Sequence, residues 1–142
     1  MAQELYYPAA QLTKAIARAQ AEHRVVAALY TSDRCPFCIA LKKEQLTPRM
    51  RSDALPALLV VEFDADKSKR VPLPNGNSTT VTEWARQHRL TLFPTLVMLD
   101  VQGNPITAPL VGYGSRDFYP SYLEDQIKAA EAIALKSTAP RI

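Results

Sequence analysis

A chain of 142 residues with 47% hydrophobic and 22% charged residues is long enough to bury a real core in one domain, and its composition is that of an ordinary soluble globular protein. A net charge of +3, spread over scattered basic residues, gives no basis for nucleic-acid binding, and the densest basic run, Lys67-Ser68-Lys69-Arg70, reads as solvated loop. No apolar stretch reaches bilayer length, and two cysteines close in sequence make no disulfide framework of a secreted mini-protein.

The N-terminus, MAQELYYPAA, lacks the basic start and apolar segment of a signal peptide, which leaves Met1-Ala2 compatible with a start placed on a mature exported protein. Ala9 to His23 carries Leu12, Ala15, Ile16 and Ala19 at helical spacing and reads as a first helix. Arg24 to Tyr30 (RVVAALY) is apolar and partly β-branched without alternation, the pattern of a strand covered on both faces. Thr31-Ser32-Asp33 supplies loop and N-cap chemistry, and Pro36 suits a first helical turn, where a missing N–H costs little. The spacings Cys38 to Leu41 and Ile39 to Leu46 keep that helix going to about Thr47-Pro48, with Lys42, Lys43 and Glu44 on its solvated side.

Leu58 to Asp64 (LLVVEFD) reads as a second central strand, and Lys67 to Thr80, with Pro72, Pro74, Asn75, Gly76 and Asn77, as a loop with turns. Thr80 and Glu83 have capping-box spacing and open a short helix through Trp84 to about His88. Leu92-Phe93-Pro94 leads into a third strand, Thr95 to Leu99; Asp100 to Asn104 reads as a hairpin turn, and Ile106 to Val111 as a fourth strand, broken by Pro109 and so at an edge. A last helix is expected from about Arg116 to Leu135, with Pro120 in its first turn and Phe118, Tyr122, Leu123, Ile127, Ala130 and Ile133 buried. No internal repeat is present. This order predicts an α/β sandwich around a mixed sheet of four to five strands, in a single domain 1–142 with its core at about 9–134 and a flexible tail at 135–142.

Cys35 and Cys38, in TSDRCPFCIALKKEQL, are the only cysteines. On a helical first turn this spacing puts both sulfurs on one face, near enough to form or break a disulfide. Three chemistries fit the pair: a redox couple, a structural staple and a metal clip. A metal needs more ligands, and His23 and His88, the only histidines, lack ligand-like spacing to the pair and read as exposed helix-end residues. Trp84 reads as a core aromatic, and Tyr113, Tyr119 and Tyr122 as helix-packing residues. Glu62 is either an edge carboxylate or a buried proton relay. Phe37 and Phe93 either pack or form an apolar rim.

A Cys-Pro-Phe-Cys turn after a buried strand, followed by an apolar-Pro-Thr before another strand, resembles the thioredoxin family over about Ala9 to Ala134. The resemblance implies a thioredoxin fold in which Pro94, within Phe93-Pro94-Thr95, is cis and stands beside the cysteines. Gly112-Tyr113 before the terminal helix matches as well. Within the family the chain looks like bacterial periplasmic thioredoxin-like proteins, including the type that accompanies sulfur oxidation. It departs from ordinary thioredoxin, where Trp-Cys-Gly-Pro-Cys stands: here Arg34 precedes Cys35, and Pro36-Phe37 separate the sulfurs. The family's buried Asp, six residues ahead of the first cysteine, is Leu29 here, so its proton-accepting role cannot be carried over. Glu62 is the first candidate to replace it.

The family's chemistry makes Cys35 the exposed nucleophile, its anion favoured by the free N–H groups and dipole of the helix N-terminus, with Arg34 adding a like effect if it turns toward the sulfur. Cys38 is then the buried resolving thiol. Pro36 removes an N–H near the sulfur, and Phe93, Pro94 and Thr95 form the substrate edge, to which a peptide adds as a short strand. The resemblance therefore implies a thiol–disulfide oxidoreductase acting on disulfide-containing protein clients, as a reductase supplied by a membrane-bound thiol electron donor. No cofactor, metal, nucleic acid or membrane insertion is expected. A monomer in the periplasm or otherwise exported is the expected setting, with the cytoplasm as second choice. A glutaredoxin-like enzyme and a non-catalytic binding module with a structural disulfide are the alternatives.

Overall fold

The structure, a computed structural model, describes residues 5–67 and 70–138. Its centre is a five-stranded mixed sheet in the order β1 (Tyr6–Pro8), β3 (Ala57–Asp64), β2 (Arg24–Thr31), β6 (Thr95–Leu99) and β7 (Leu110–Val111). β2 and β3 lie side by side in parallel through their whole length, with Tyr30 opposite Phe63 and Thr31 opposite Asp64. β6 runs antiparallel along the other side of β2, and β1 closes the far edge against β3. The sheet is thus the expected mixed one, parallel across β1, β3 and β2 and antiparallel at β6.

The unbroken apolar runs of β2 and β3 are explained by two covered faces. On one, Val26, Ala28, Leu59, Val61 and Phe63 pack with Leu12 and Ile16 of α1 (Leu12–Glu22) and Trp84 of α4 (Val81–Gln87). On the other, Val25, Ala27, Leu29, Leu58 and Val60 pack with Leu41 and Leu46 of the cysteine-bearing helix and with Leu123 and Ile127 of α5 (Tyr119–Thr138). Alternate side chains of one strand therefore serve opposite cores. α4 begins as its sequence indicates, with the Thr80 hydroxyl accepting the Glu83 backbone N–H at 3.1 Å.

Several expectations change. The cysteine-bearing helix does not stop at Thr47-Pro48. It runs as α2 (Pro36–Leu41), a π-helical stretch (Lys42–Leu46) and α3 (Thr47–Arg51). Pro48 has no N–H and its ring crowds the carbonyl four residues earlier, so the ladder widens upstream of it and the Thr47 N–H reaches the Lys42 carbonyl. At the far end the Arg49 guanidinium binds Glu124 of α5 and the carbonyls of Ala54 (3.1 Å) and Pro56 (2.7 Å).

The segment expected as a loop from Lys67 to Thr80 contains a small hairpin of β4 (Arg70–Pro72) and β5 (Ser78–Thr80); of the basic run beside it, 68 and 69 lie outside the described residues. The strand expected over Ile106 to Val111 shrinks to β7 (Leu110–Val111), with a separate bridge between Leu99 and Pro105, because Pro109 interrupts the ladder. The Asp100–Asn104 turn forms, with Gly103 at φ +82° and Asp100 accepting the N–H groups of Gln102 and Asn104.

α5 starts at Tyr119 and continues to Thr138, into the expected tail, whose residues 139–142 lie outside those described. Its buried stripe is Tyr119, Leu123, Ile127 and Ala130, leaving Phe118 and Tyr122 more than half exposed and Ile133 at the margin. β1, absent from the sequence reading, is a three-residue strand ending in Pro8.

Candidate active site

Cys35 and Cys38 stand where β2 hands over to the helix. The turn is built from short polar side chains: Ser32 Oγ donates to Asp66 Oδ2 at 2.7 Å, the Asp33 N–H donates to the same oxygen at 2.9 Å, and the Arg34 N–H donates to Ser32 Oγ at 3.2 Å. Cys35 is itself the N-cap, in extended conformation, with Pro36 next in line. Its sulfur accepts the Cys38 backbone N–H at 3.2 Å, the place usually taken by a Ser or Asp oxygen.

Both cysteines are free thiols, Cys35 partly exposed and Cys38 only 1% exposed. Burial and a hydrogen bond with the Cys35 sulfur push the Cys38 thiol up to about 11, against the Thr31 hydroxyl and the Ser32 backbone N–H, which favour its anion. One sulfur is thus within reach of a partner and the other keeps its proton beneath it.

The substrate-edge residues lie at the same end of the sheet, because Thr95 opens β6 directly opposite Tyr30. The Phe93–Pro94 peptide bond is cis, as is Leu55–Pro56. Pro94 is buried, and its carbonyl accepts the Gly112 N–H at 2.7 Å, with Gly112 at φ +77°. Thr95 is buried with its hydroxyl turned back to the Leu92 carbonyl at 2.8 Å. Phe93 is 37% exposed and packs on Tyr30 with ring centres 4.7 Å apart, and Phe37 and Leu92 are well exposed.

The remaining candidates lie around this turn and along the sheet. Leu29 is fully buried in the core on the cysteine-helix side. Glu62, beside Leu29 in the register, ends at the Lys42 ammonium 2.8 Å away, and both side chains are about a quarter to a third exposed. The carboxylate is thus ion-paired to a residue one helical turn beyond Cys38. Arg34 is exposed; the Ser32 hydroxyl bond holds the Asp66 carboxyl below its usual range, with the Asp33 N–H and the Arg34 charge adding to it. His23 is exposed, whereas His88 is half-buried against the edge of Trp84, which lowers its proton affinity through desolvation.

A comparison with protein families matches residues 12–127 to a thioredoxin-like domain. The chain belongs to the thioredoxin-like family. No curated protein matches it in sequence. Among solved structures, thioredoxin O2 from Arabidopsis thaliana in its oxidised state is similar at 16% identity and a TM-score of 0.56, covering 87% of this chain and 95% of that one. The oxidised DsbD C-terminal domain of Neisseria meningitidis matches at 16% identity and a TM-score of 0.55, covering 87% and 99%. A DsbH oxidoreductase matches at 23% identity and a TM-score of 0.54, covering 80% and 79%. The thioredoxin-like fold with a CxxC-spaced pair is consistent with thiol–disulfide oxidoreductase chemistry. No helix among the described residues is long and apolar enough to cross a membrane.

Beside the thioredoxin-like cysteine pair lies an acidic group that sequence reasoning missed. The carboxylates of Asp33, Asp64 and Asp66 come within 4.8 Å of one another. Asp64 is 8% exposed and sits opposite Thr31 on the same sheet face. Burial raises its proton affinity, the Asp66 backbone N–H opposes this, and a hydrogen bond that its protonated form donates to the Asp33 carboxylate raises it further. The only advance signal was acidic residues at two strand ends, which become neighbours once the parallel register is known.

Because the folded state binds the Asp64 proton more tightly than the unfolded chain, stability falls as pH rises from the ordinary Asp range through the raised value. Asp64→Asn, which keeps an acceptor for Asp66 and a donor for Asp33, is expected to raise Tm at pH 7 and to give a smaller gain at pH 3. Thermal melts at the two pH values check this, and a variant less stable than wild type at pH 7 contradicts it.

Proposed function

We propose that the protein is a thiol–disulfide oxidoreductase that reduces disulfides in protein clients. The observation that carries this reading is the pairing of a partly exposed, helix-capping Cys35 sulfur with a protonated, buried Cys38 one turn along. The Cys35 thiolate attacks one sulfur of the client disulfide, forming a mixed disulfide and releasing the first client thiolate, which takes up a proton. Cys38 loses its proton and attacks the Cys35 sulfur, the mixed disulfide breaks, and the second client thiol leaves. The client gains two electrons, and the Cys35–Cys38 disulfide must be returned to the dithiol by an external two-electron thiol donor.

Phe37, Phe93 and Pro94 form the edge that meets the client chain in this reading, with Thr95 bracing it from within. Arg34 and Pro36 tune the turn around the nucleophile. The resemblance to periplasmic thioredoxin-like proteins supports an exported setting, a membrane-bound donor and reduction as the direction, with the protein acting as a monomer.

Insulin-disulfide reduction with dithiothreitol as electron source tests the assignment. Cys35→Ser is expected to abolish turnover, and unchanged turnover overturns the reading. Titrating the pair against a glutathione buffer gives the reduction potential; a value below about −300 mV, where structural disulfides lie, favours a binding module instead.

A further inference from the structure

The cysteine-bearing helix and the segment that holds Pro94 are joined by one phenol. Tyr113 is 5% exposed, its ring standing edge-on to Tyr119 at 5.2 Å. Its hydroxyl donates to Glu44 Oε1 at 2.7 Å and accepts from Gln45 Nε2 at 3.0 Å. Both partners lie in the π-helical stretch directly after α2. Arg116 Nε meets the same Glu44 oxygen at 3.1 Å, and Gln45 also reaches the Arg116 carbonyl at 3.4 Å. The neighbouring residue, Gly112, donates its N–H to the Pro94 carbonyl at 2.7 Å. A short hydrogen-bonded path therefore runs from the helix that carries the sulfurs, through Tyr113 and Gly112, to Pro94.

We propose that the Tyr113 hydroxyl is a positioning group that fixes the cysteine-bearing helix relative to the Pro94 segment and so gives preference for extended peptide disulfides over small ones. The inference rests on the oxidoreductase reading above. An extended client must engage the sulfur and the Pro94 edge together, so it is sensitive to their relative placement. A small disulfide needs only the sulfur. A hydrogen bond to a charged acceptor holds the helix more firmly than packing alone, and a misplacement of about 1 Å in a reacting pair can lower rate by roughly 100-fold.

The test compares wild type, Tyr113→Phe and Glu44→Gln on insulin and on 2-hydroxyethyl disulfide. The Phe variant keeps the buried ring and removes only the hydroxyl. It is expected to lose on the order of ten-fold in kcat/KM on insulin, mainly through KM, while turnover of the small disulfide stays within about two-fold. Glu44→Gln retains an acceptor for the phenol but not its charge, and is expected to fall between wild type and Tyr113→Phe on insulin. Equal losses on both substrates in the Phe variant indicate a merely structural role and overturn the proposal, as does undiminished insulin activity. Wild-type protein inert toward both substrates overturns the oxidoreductase reading instead, and this inference with it.

Discussion

Cys38→Ser protein is expected to accumulate a covalent adduct with its client through Cys35 and to lose nearly all multiple-turnover activity. Attack by Cys35 needs only the outer sulfur, and that sulfur remains in place. Release needs a second thiol, and in the wild-type chain it lies one helical turn away at 1% exposure, out of reach of competing oxidants. An intramolecular nucleophile of this kind has an effective concentration that can reach the order of 10⁵ M, which millimolar external thiol cannot match. A serine hydroxyl cannot take over, since it forms no disulfide.

The adduct also changes the second step in the wild type. Once Cys35 is bonded to the client, its hydrogen bond and charge no longer raise the Cys38 thiol, and the Thr31 hydroxyl and Ser32 N–H still favour the anion. The proton that Cys38 holds in the dithiol is therefore easier to remove when resolution requires it. Intact-mass analysis of Cys38→Ser mixed with oxidised insulin should show a dithiothreitol-reversible adduct. Its absence, with Cys35 demonstrably free beforehand, contradicts the assignment of Cys35 as nucleophile.

The largest stability effect is expected on the opposite face of the sheet. Trp84 is 2% exposed and stacked on Phe63 with ring centres 4.0 Å apart, while His88 meets its edge at 5.0 Å. Trp84→Ala opens a cavity that the sheet cannot collapse into, at a cost of about 3–5 kcal/mol. Trp84→Phe retains part of the stack, and it gives up no hydrogen bond because the indole N–H has no partner among the described residues. It should cost clearly less. Urea denaturation separates the two variants, and a Trp84→Ala cost below about 1 kcal/mol would show that this core is loosely packed. Well below their melting temperatures both variants should reduce insulin at wild-type rates, because the cysteine-bearing helix packs on the other face.

The central strands were legible because their chemistry is unambiguous: RVVAALY and LLVVEFD are too apolar for any place except a doubly covered sheet. The Thr80 cap and the cysteine spacing were equally local signals. What escaped depended on long-range context. β1 is a strand only because β3 offers a partner, and the β4–β5 hairpin is too short to show a period. The buried stripe of α5 was read correctly at Leu123, Ile127 and Ala130 but took in Phe118 and Tyr122, which are as apolar by type as Tyr119; only docking decides which faces inward. At the site, the cysteines and Phe-Pro-Thr could be read from sequence. Asp33 meets Asp64 and Asp66, and Glu44 meets Tyr113, only through distant stretches of chain, so no local pattern announces these junctions.

The π-helical stretch ahead of Pro48 has a mechanical consequence. The helical rod from Pro36 to Arg51 is anchored at its distal end, where Arg49 grips α5 and two carbonyls, and it carries its reactive sulfurs at the other. The widened turn is held as well: Glu44 and Gln45 bond the Tyr113 hydroxyl, and Lys42 pairs with Glu62. The cysteine turn therefore projects from a mount fixed at two stations, its middle and its far end.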